Sequence, residues 1–203
     1  MLEWLKRRQR PATTPTEETN RPAESPRLLA DGEPSRYVPK DDPQRFAGSL
    51  PPLHLVRYGD GLTLCEDSTG LLVGPTDRRL AGVGIYVARL RGEKYHKQAC
   101  RRGNFTPGST VRLVREPDNK HDPNAVAVTE DRDGAPVAAY VSKGYAKRFG
   151  RLLASGEPLR IIAIRGTGPN RPCESITLLA GHPDLVAHLL SRRPRGLPKP
   201  QTR

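Results

Sequence analysis

From residue 81 onward, short apolar runs recur at strand spacing, separated by clusters of Gly, Pro, Asn and Asp. Val83–Leu90 (VGIYVARL) reads as a strand. Thr110–Arg115 (TVRLVR) alternates polar and apolar residues, as a half-buried strand does. Ala125–Thr129 (AVAVT) and Pro136–Val141 predict two more strands, the second entered through the turn pair Asp133-Gly134. Leu159–Ile164 (LRIIAI) and Ser175–Leu179 (SITLL) complete the set. Ser142 stands where it can cap a helix whose residues Ala146, Phe149, Leu152 and Leu153 form one apolar face, with Gly156 as its C-terminal cap. Pro183 opens a second helix carrying Leu185, Leu189 and Leu190. Upstream, two apolar runs in Leu53–Gly74 flank Gly59-Asp60-Gly61, the signature of a hairpin.

These elements predict a mainly β fold with one or two short helices, a small OB-like or modified β-barrel of the sort that binds nucleic acid on a strand face and its loops. The pattern divides the chain into four parts: residues 1–45, a Pro-rich arm; 46–80, a β-hairpin extension; 81–181, the main domain; and 182–203, a short helix and a basic tail. The arm lacks any apolar period and the tail is dense in Pro, so both are expected to be disordered. Met1–Arg10 reads either as a short amphipathic turn built on Leu2, Trp4 and Leu5 or as a frayed end.

Composition sharpens the picture. The chain has 203 residues with 21 Pro and 19 Gly, enough apolar content for a core over part of its length only. The net charge of +12 is uneven: residues 81–181 carry 17 basic and 9 acidic side chains, and 182–203 carry 5 and 1. A basic domain with a basic tail attracts phosphate polyanions and gains affinity by releasing their counterions. Cys65, Cys100 and Cys173 are widely spaced with no CxxC pair, which predicts reduced thiols. With no signal-peptide pattern and no apolar run of about 20 residues, the expected location is the cytoplasm, away from membranes.

The informative block is Val111–Val128, VRLVREPDNKHDPNAVAV, in which a basic strand meets a turn holding Arg115, Glu116, Asp118, Asn119, His121, Asp122 and Asn124. Val111, Leu113, Arg115, Glu116, Pro117, Asn119, Asp122, Asn124, Ala125, Val126 and Val128 fit the pattern VxLxREPxNxxDxNAIxV. Gly134, Val137–Val141 and the helix containing Ala146 continue the match, and Gly82–Tyr86 fits a first strand. Over about 100 residues the chain thus resembles the HIRAN family. The resemblance implies a modified OB-like barrel that grips single-stranded DNA at a 3′ end, in some members fused to DNA translocases that act at stalled forks. It assigns Asp122 to accept a hydrogen bond from the 3′ hydroxyl and to repel a 3′ phosphate. It assigns Asn119 to the terminal nucleotide, His121 to stacking on the last base, and Lys143 to a backbone phosphate. Tyr140 and Arg115 complete the expected DNA-binding set. The family's first-strand arginine and aromatic fall on Gly84-Ile85 here, so one cation and one stacking surface are expected to be missing. The loop holding Lys94, Tyr95, His96, Lys97, Arg101, Arg102 and Phe105 offers a basic and aromatic replacement.

Each assignment has a plainer counterpart. Asp122, Asn124 and Asn119 also suit Asx-type turn bonds, and Arg115 with Glu116 suits a scaffold ion pair. No nucleophile with an aligned base is identifiable, and the His and Cys positions lack zinc spacing, so neither an enzyme nor a cofactor is expected. Hydrolase or zinc labels would belong to the fused helicases. Three readings remain: a binder of single-stranded DNA or 3′ ends serving a repair or replication partner near the nucleoid, a protein-interaction module on the same barrel, and a metal-dependent hydrolase using Asp118 and Asp122.

Overall fold

The computed structural model describes residues 35–48, 50–172 and 175–202, and the described residues from 36 on form one compact unit. Six strands form one antiparallel sheet: β4 (Tyr86–Arg91), β5 (Val111–Arg115), β6 (Val126–Glu130), β7 (Ala139–Val141), β8 (Arg160–Arg165) and β9 (Thr177–Gly181). Their order is β5-β6-β7-β4-β9-β8. The sheet curls until its edges meet, where Thr110 bridges to Ile162 and the Ser109 carbonyl accepts a hydrogen bond from the Ala163 amide at 2.9 Å. The result is a small, nearly closed barrel, the mainly β architecture that the apolar pattern predicts.

A second, three-stranded sheet precedes it: β1 (Leu53–Tyr58), β2 (Gly61–Glu66) and β3 (Leu72–Val73). Among the described residues, four α-helices accompany the sheets: α1 (Arg79–Gly82), α2 (Lys97–Arg102), α3 (Lys143–Ala154) and α4 (Pro183–Leu190). Strands β8 and β9 are apolar without alternation because both of their faces are buried. Ile161, Ala163, Leu178 and Ala180 point into the barrel with Phe105, Val126 and Phe149. Ile162, Ile164 and Leu179 point out, into a second core with Leu53, Leu64, Val73, Leu185 and Leu189. A residue that alternates between two buried faces leaves no polar side to betray the strand.

Several expectations need correction. Helix α3 begins where expected, but the Ser142 hydroxyl makes no capping bond, and its C-cap is Ser155, one residue before Gly156. The arm is ordered from residue 36 on: the Val38 amide bonds the Leu72 carbonyl at 2.9 Å, Val38 and Phe46 enter the second core, and Arg45 pairs with Glu66 at 2.6 Å. Residues 1–34, with the proposed turn at Leu2, Trp4 and Leu5, lie outside the described residues. The tail is not disordered either. Arg193 donates to Asp67 at 2.9 Å and to the Glu66 and Asp67 carbonyls, and the Gln201 amide bonds the Gly70 carbonyl at 2.9 Å. One guanidinium satisfying these three acceptors and the Pro198 carbonyl fixes a segment that has almost no apolar content. Finally, Cys65 is a free buried thiol, but Cys100 is disulfide-bonded rather than reduced. Among the described residues, no helix is long and apolar enough to cross a membrane.

Candidate nucleic-acid interface

The turn between β5 and β6 organises itself. The Glu116 amide bonds the Ala125 carbonyl at 3.0 Å, closing the base of the loop. The Asn119 side-chain carbonyl accepts from the His121 amide at 3.0 Å and the Asp122 amide at 3.3 Å. Asp122 Oδ1 accepts from the Asn124 amide at 2.8 Å. These are Asx turns, in which a short polar side chain substitutes for a backbone acceptor. Asp122 Oδ2 has no hydrogen-bond partner among the described residues. The structural and the binding readings of Asp122 are therefore compatible: one oxygen builds the loop and the other stays open.

Glu116 ties this loop to the barrel. Its Oε2 accepts from Asn119 Nδ2 at 2.8 Å and from the Tyr140 hydroxyl at 3.1 Å. The expected Arg115–Glu116 ion pair is not formed among the described residues. Burial, then the bond to the negative Glu116, push the Tyr140 phenol above its ordinary value, so it remains a donor. Glu116→Gln should lower the Tyr140 pKa and loosen Asn119, leaving the barrel folded. Tyrosine-labelled NMR titration measures the first effect, and nucleic-acid affinity, expected to fall about tenfold for one charge-assisted bond, measures the second.

Pairing of β4 with β7 sets Arg91 opposite Tyr140. Gly92, at φ +89°, then turns the chain off β4 into a 3-10 turn at Glu93–Tyr95, a backbone conformation that favours glycine. This brings Arg91, Tyr95 and His96 to face the loop across a groove of about 600 Å³. Asn119, His121, Asp122, Tyr140 and Lys143 line the same groove. The His96 and Tyr140 rings lie 5.7 Å apart at 56°. Lys143 is exposed at the first position of α3. Tyr95 is 77% exposed, an aromatic surface offered to solvent, with the Lys94 ammonium 4.8 Å above its ring.

Five of the six residues expected to bind DNA are thus brought together. Arg115 is not: its guanidinium lies beside Gly150 of α3 and does not line the groove. Of the expected auxiliary loop, Lys94, Tyr95, Lys97 and Arg101 line an adjoining cavity of about 1020 Å³ that shares Arg91, Gly92 and Tyr95 with the groove. Arg102 lines a third cavity with Lys94, Tyr95 and Lys97. The segment is a 3-10 turn and a helix rather than a loop, and Phe105 belongs to the barrel core at 0% exposure.

The residue missed from sequence is Arg91. Gly84 and Ile85 precede β4, and Ile85 is buried in the second core. The cation that β4 brings to the groove comes from its last residue. Outward alternation of Arg89 and Arg91 past the buried Leu90, ending in glycine, is the signal that marks it.

No curated protein matches the chain. Among solved structures, the crystal structure of the HIRAN domain of human HLTF is similar over 55% of this chain and 93% of its own, at 18% identity and a TM-score of 0.38. The crystal structure of a structural-genomics target from Lactobacillus plantarum is similar over 47% of this chain and 92% of its own, at 21% identity and a TM-score of 0.33. The family model of the HIRAN domain matches residues 83–165, which contain the five strands β4 to β8 and every residue lining the groove. Over residues 83–165, the match is thus to the HIRAN domain, a family of nucleic-acid-binding modules.

Proposed function

We propose that the chain binds single-stranded DNA, preferring a 3′-hydroxyl end, and serves as an end-recognition factor in DNA repair or replication at the nucleoid. It acts by binding, without catalysis or cofactor. The observation that supports this reading is the convergence of Asn119, His121, Asp122, Tyr140 and Lys143 on one groove with Arg91 and Tyr95.

The open Asp122 oxygen accepts a hydrogen bond from a terminal hydroxyl, while a terminal phosphate meets the same carboxylate as a like charge. Tyr95 and His121 offer ring faces for base stacking, which tolerates any sequence. Lys143 and Arg91 neutralise backbone phosphates. The position of Arg91 also weakens the case for a protein-interaction module, since that reading rested on the missing first-strand cation.

Fluorescence-anisotropy titration of the full chain tests this. Short strands ending in a 3′ hydroxyl should bind about tenfold more tightly than the same strands ending in a 3′ phosphate or a blunt duplex. Lys143→Ala should weaken all strands alike and reduce the salt slope by about 0.7, the value for one single-strand phosphate contact. Equal, weak binding to every nucleic acid that disappears with salt would overturn the proposal.

A further inference from the structure

The pairing register sets Arg89, Thr177 and Arg165 side by side across β4, β9 and β8. Two strand spacings carry this row about 10 Å across the outer face of the barrel. At one end, Arg89 Nη2 lies 3.5 Å from the Ser175 hydroxyl. Ser175 lines the cavity that shares Arg91 and Tyr95 with the end-binding groove. At the other end, Arg165 meets the tip of the β1–β2 hairpin, which is held close: a Cβ on Gly61 would come within 2.9 Å of the Ile164 carbonyl oxygen. There a further cavity of about 590 Å³ opens, with Leu64, Val73 and Ile164 in its floor and Arg36, Tyr37 and Tyr58 among its lining.

We propose that this row and the hairpin cavity form a second segment of the nucleic-acid path, a basic and aromatic track that receives the strand 5′ to the end held in the groove. The inference rests on the function proposed above and adds a site built largely outside the family domain, since Arg36, Tyr37 and Tyr58 precede residue 83.

Three observations favour a nucleic-acid strand as the occupant. Among the described residues, five large apolar side chains are left exposed; three are tyrosines, Tyr37, Tyr58 and Tyr95, and all three line this path. Exposed ring faces are what successive bases stack on. The cavities at the two ends of the row are lined by six basic side chains and two acidic ones, Glu93 and Asp60. Of the latter, Asp60 sits 3.4 Å from Arg165 with both side chains more than half exposed, a pair weak enough for a phosphate to displace. The track is also continuous with the groove, so one strand engages both and the second contact forms intramolecularly.

The test titrates the full chain with a tetranucleotide and a dodecanucleotide, each ending in either a 3′ hydroxyl or a 3′ phosphate. It compares the wild type with the triple variant Arg89→Ala/Arg165→Ala/Tyr58→Ala, whose three positions are all solvent-exposed. The wild type should bind the dodecanucleotide about tenfold or more tightly than the tetranucleotide, as expected for one added stack and two phosphate contacts. The variant should bring the two within about twofold, with tetranucleotide affinity and end preference unchanged. End-selective binding with no gain from length, or a length gain that the variant retains, overturns the track alone. Length-dependent binding that the variant abolishes, without end preference, supports the track and removes the end-recognition reading. No binding of either strand overturns both.

Discussion

Phe105→Ala should cost about 3–5 kcal/mol of stability, the range for removing a fully buried phenylalanine. The side chain is completely enclosed in the barrel core beside Cys100 and Val111. Glycine backbone packs tightly here: a Cβ on Gly103 would stand 2.6 Å from the ring, and one on Gly166 would stand 2.5 Å from the Phe105 carbonyl oxygen. Truncation leaves a cavity, and the part of it that the surroundings do not fill sets the cost. For a protein of this size the loss corresponds to a fall in Tm of about 10 °C or more, readable by calorimetry. Tyr95→Ala, at an exposed position ten residues earlier, should leave Tm within about 1–2 °C. A Phe105→Ala variant that melts with the wild type would contradict the assignment of this residue to the core.

Asp122→Ala should abolish the preference for a 3′ hydroxyl while reducing the affinity for a 3′-phosphate strand little or raising it. In the proposed end recognition the carboxylate would do two opposite things at once: its open oxygen would accept from a hydroxyl, worth about 1.5–3 kcal/mol for a bond to a charged group, and would repel a phosphate. Removing it erases both terms, so the ratio of the two affinities changes more than either alone. Asp122 Oδ1 also holds the Asn124 amide, so the loop loses one of its Asx bonds. Asp122→Asn separates the roles: it keeps a turn acceptor and removes the charge. End preference that survives in both variants would place end recognition elsewhere.

The legible and illegible parts of this fold differ for physical reasons. The strand Val111–Arg115 is visible because only one face is buried, so its side chains alternate. Helix α3 is visible through Ala146 and Phe149, which are its buried residues. Helix α2 is not, because KQACRR buries only Cys100 and offers no apolar stripe. Ordering of the tail depends on Arg193 meeting Asp67 across more than a hundred residues, which no local pattern encodes. Phe105 sits among basic residues and reads from sequence as part of a binding loop, yet the chain turns it inward where Gly103 leaves room for the ring.

The candidate site divides in the same way. Asn119, His121 and Asp122 are neighbours on one loop, and their turn-forming side chains announce a structured cluster of polar groups. The opposite wall is legible only in part: Tyr95 and His96 stand in the basic and aromatic segment read from the sequence, whereas Arg91 does not. Arg91 and Tyr95 reach the groove only because β4 pairs with β7 in the register that sets Arg91 against Tyr140, and because Gly92 then redirects the chain. The role of Glu116 was likewise misread as a partner for its sequence neighbour. Its carboxylate instead spans to Tyr140, 24 positions away, and fastens the loop to the barrel.

The most direct test of the central claim is to map where a strand end sits. A two-dimensional NMR titration of the isotope-labelled full chain with a short 3′-hydroxyl strand reports every affected amide. The account predicts shifts concentrated at residues 91–96, 119–125 and 140–143, which enclose the groove. Shifts spread evenly over exposed lysines and arginines, or centred on α4 and the tail with the groove silent, would contradict it.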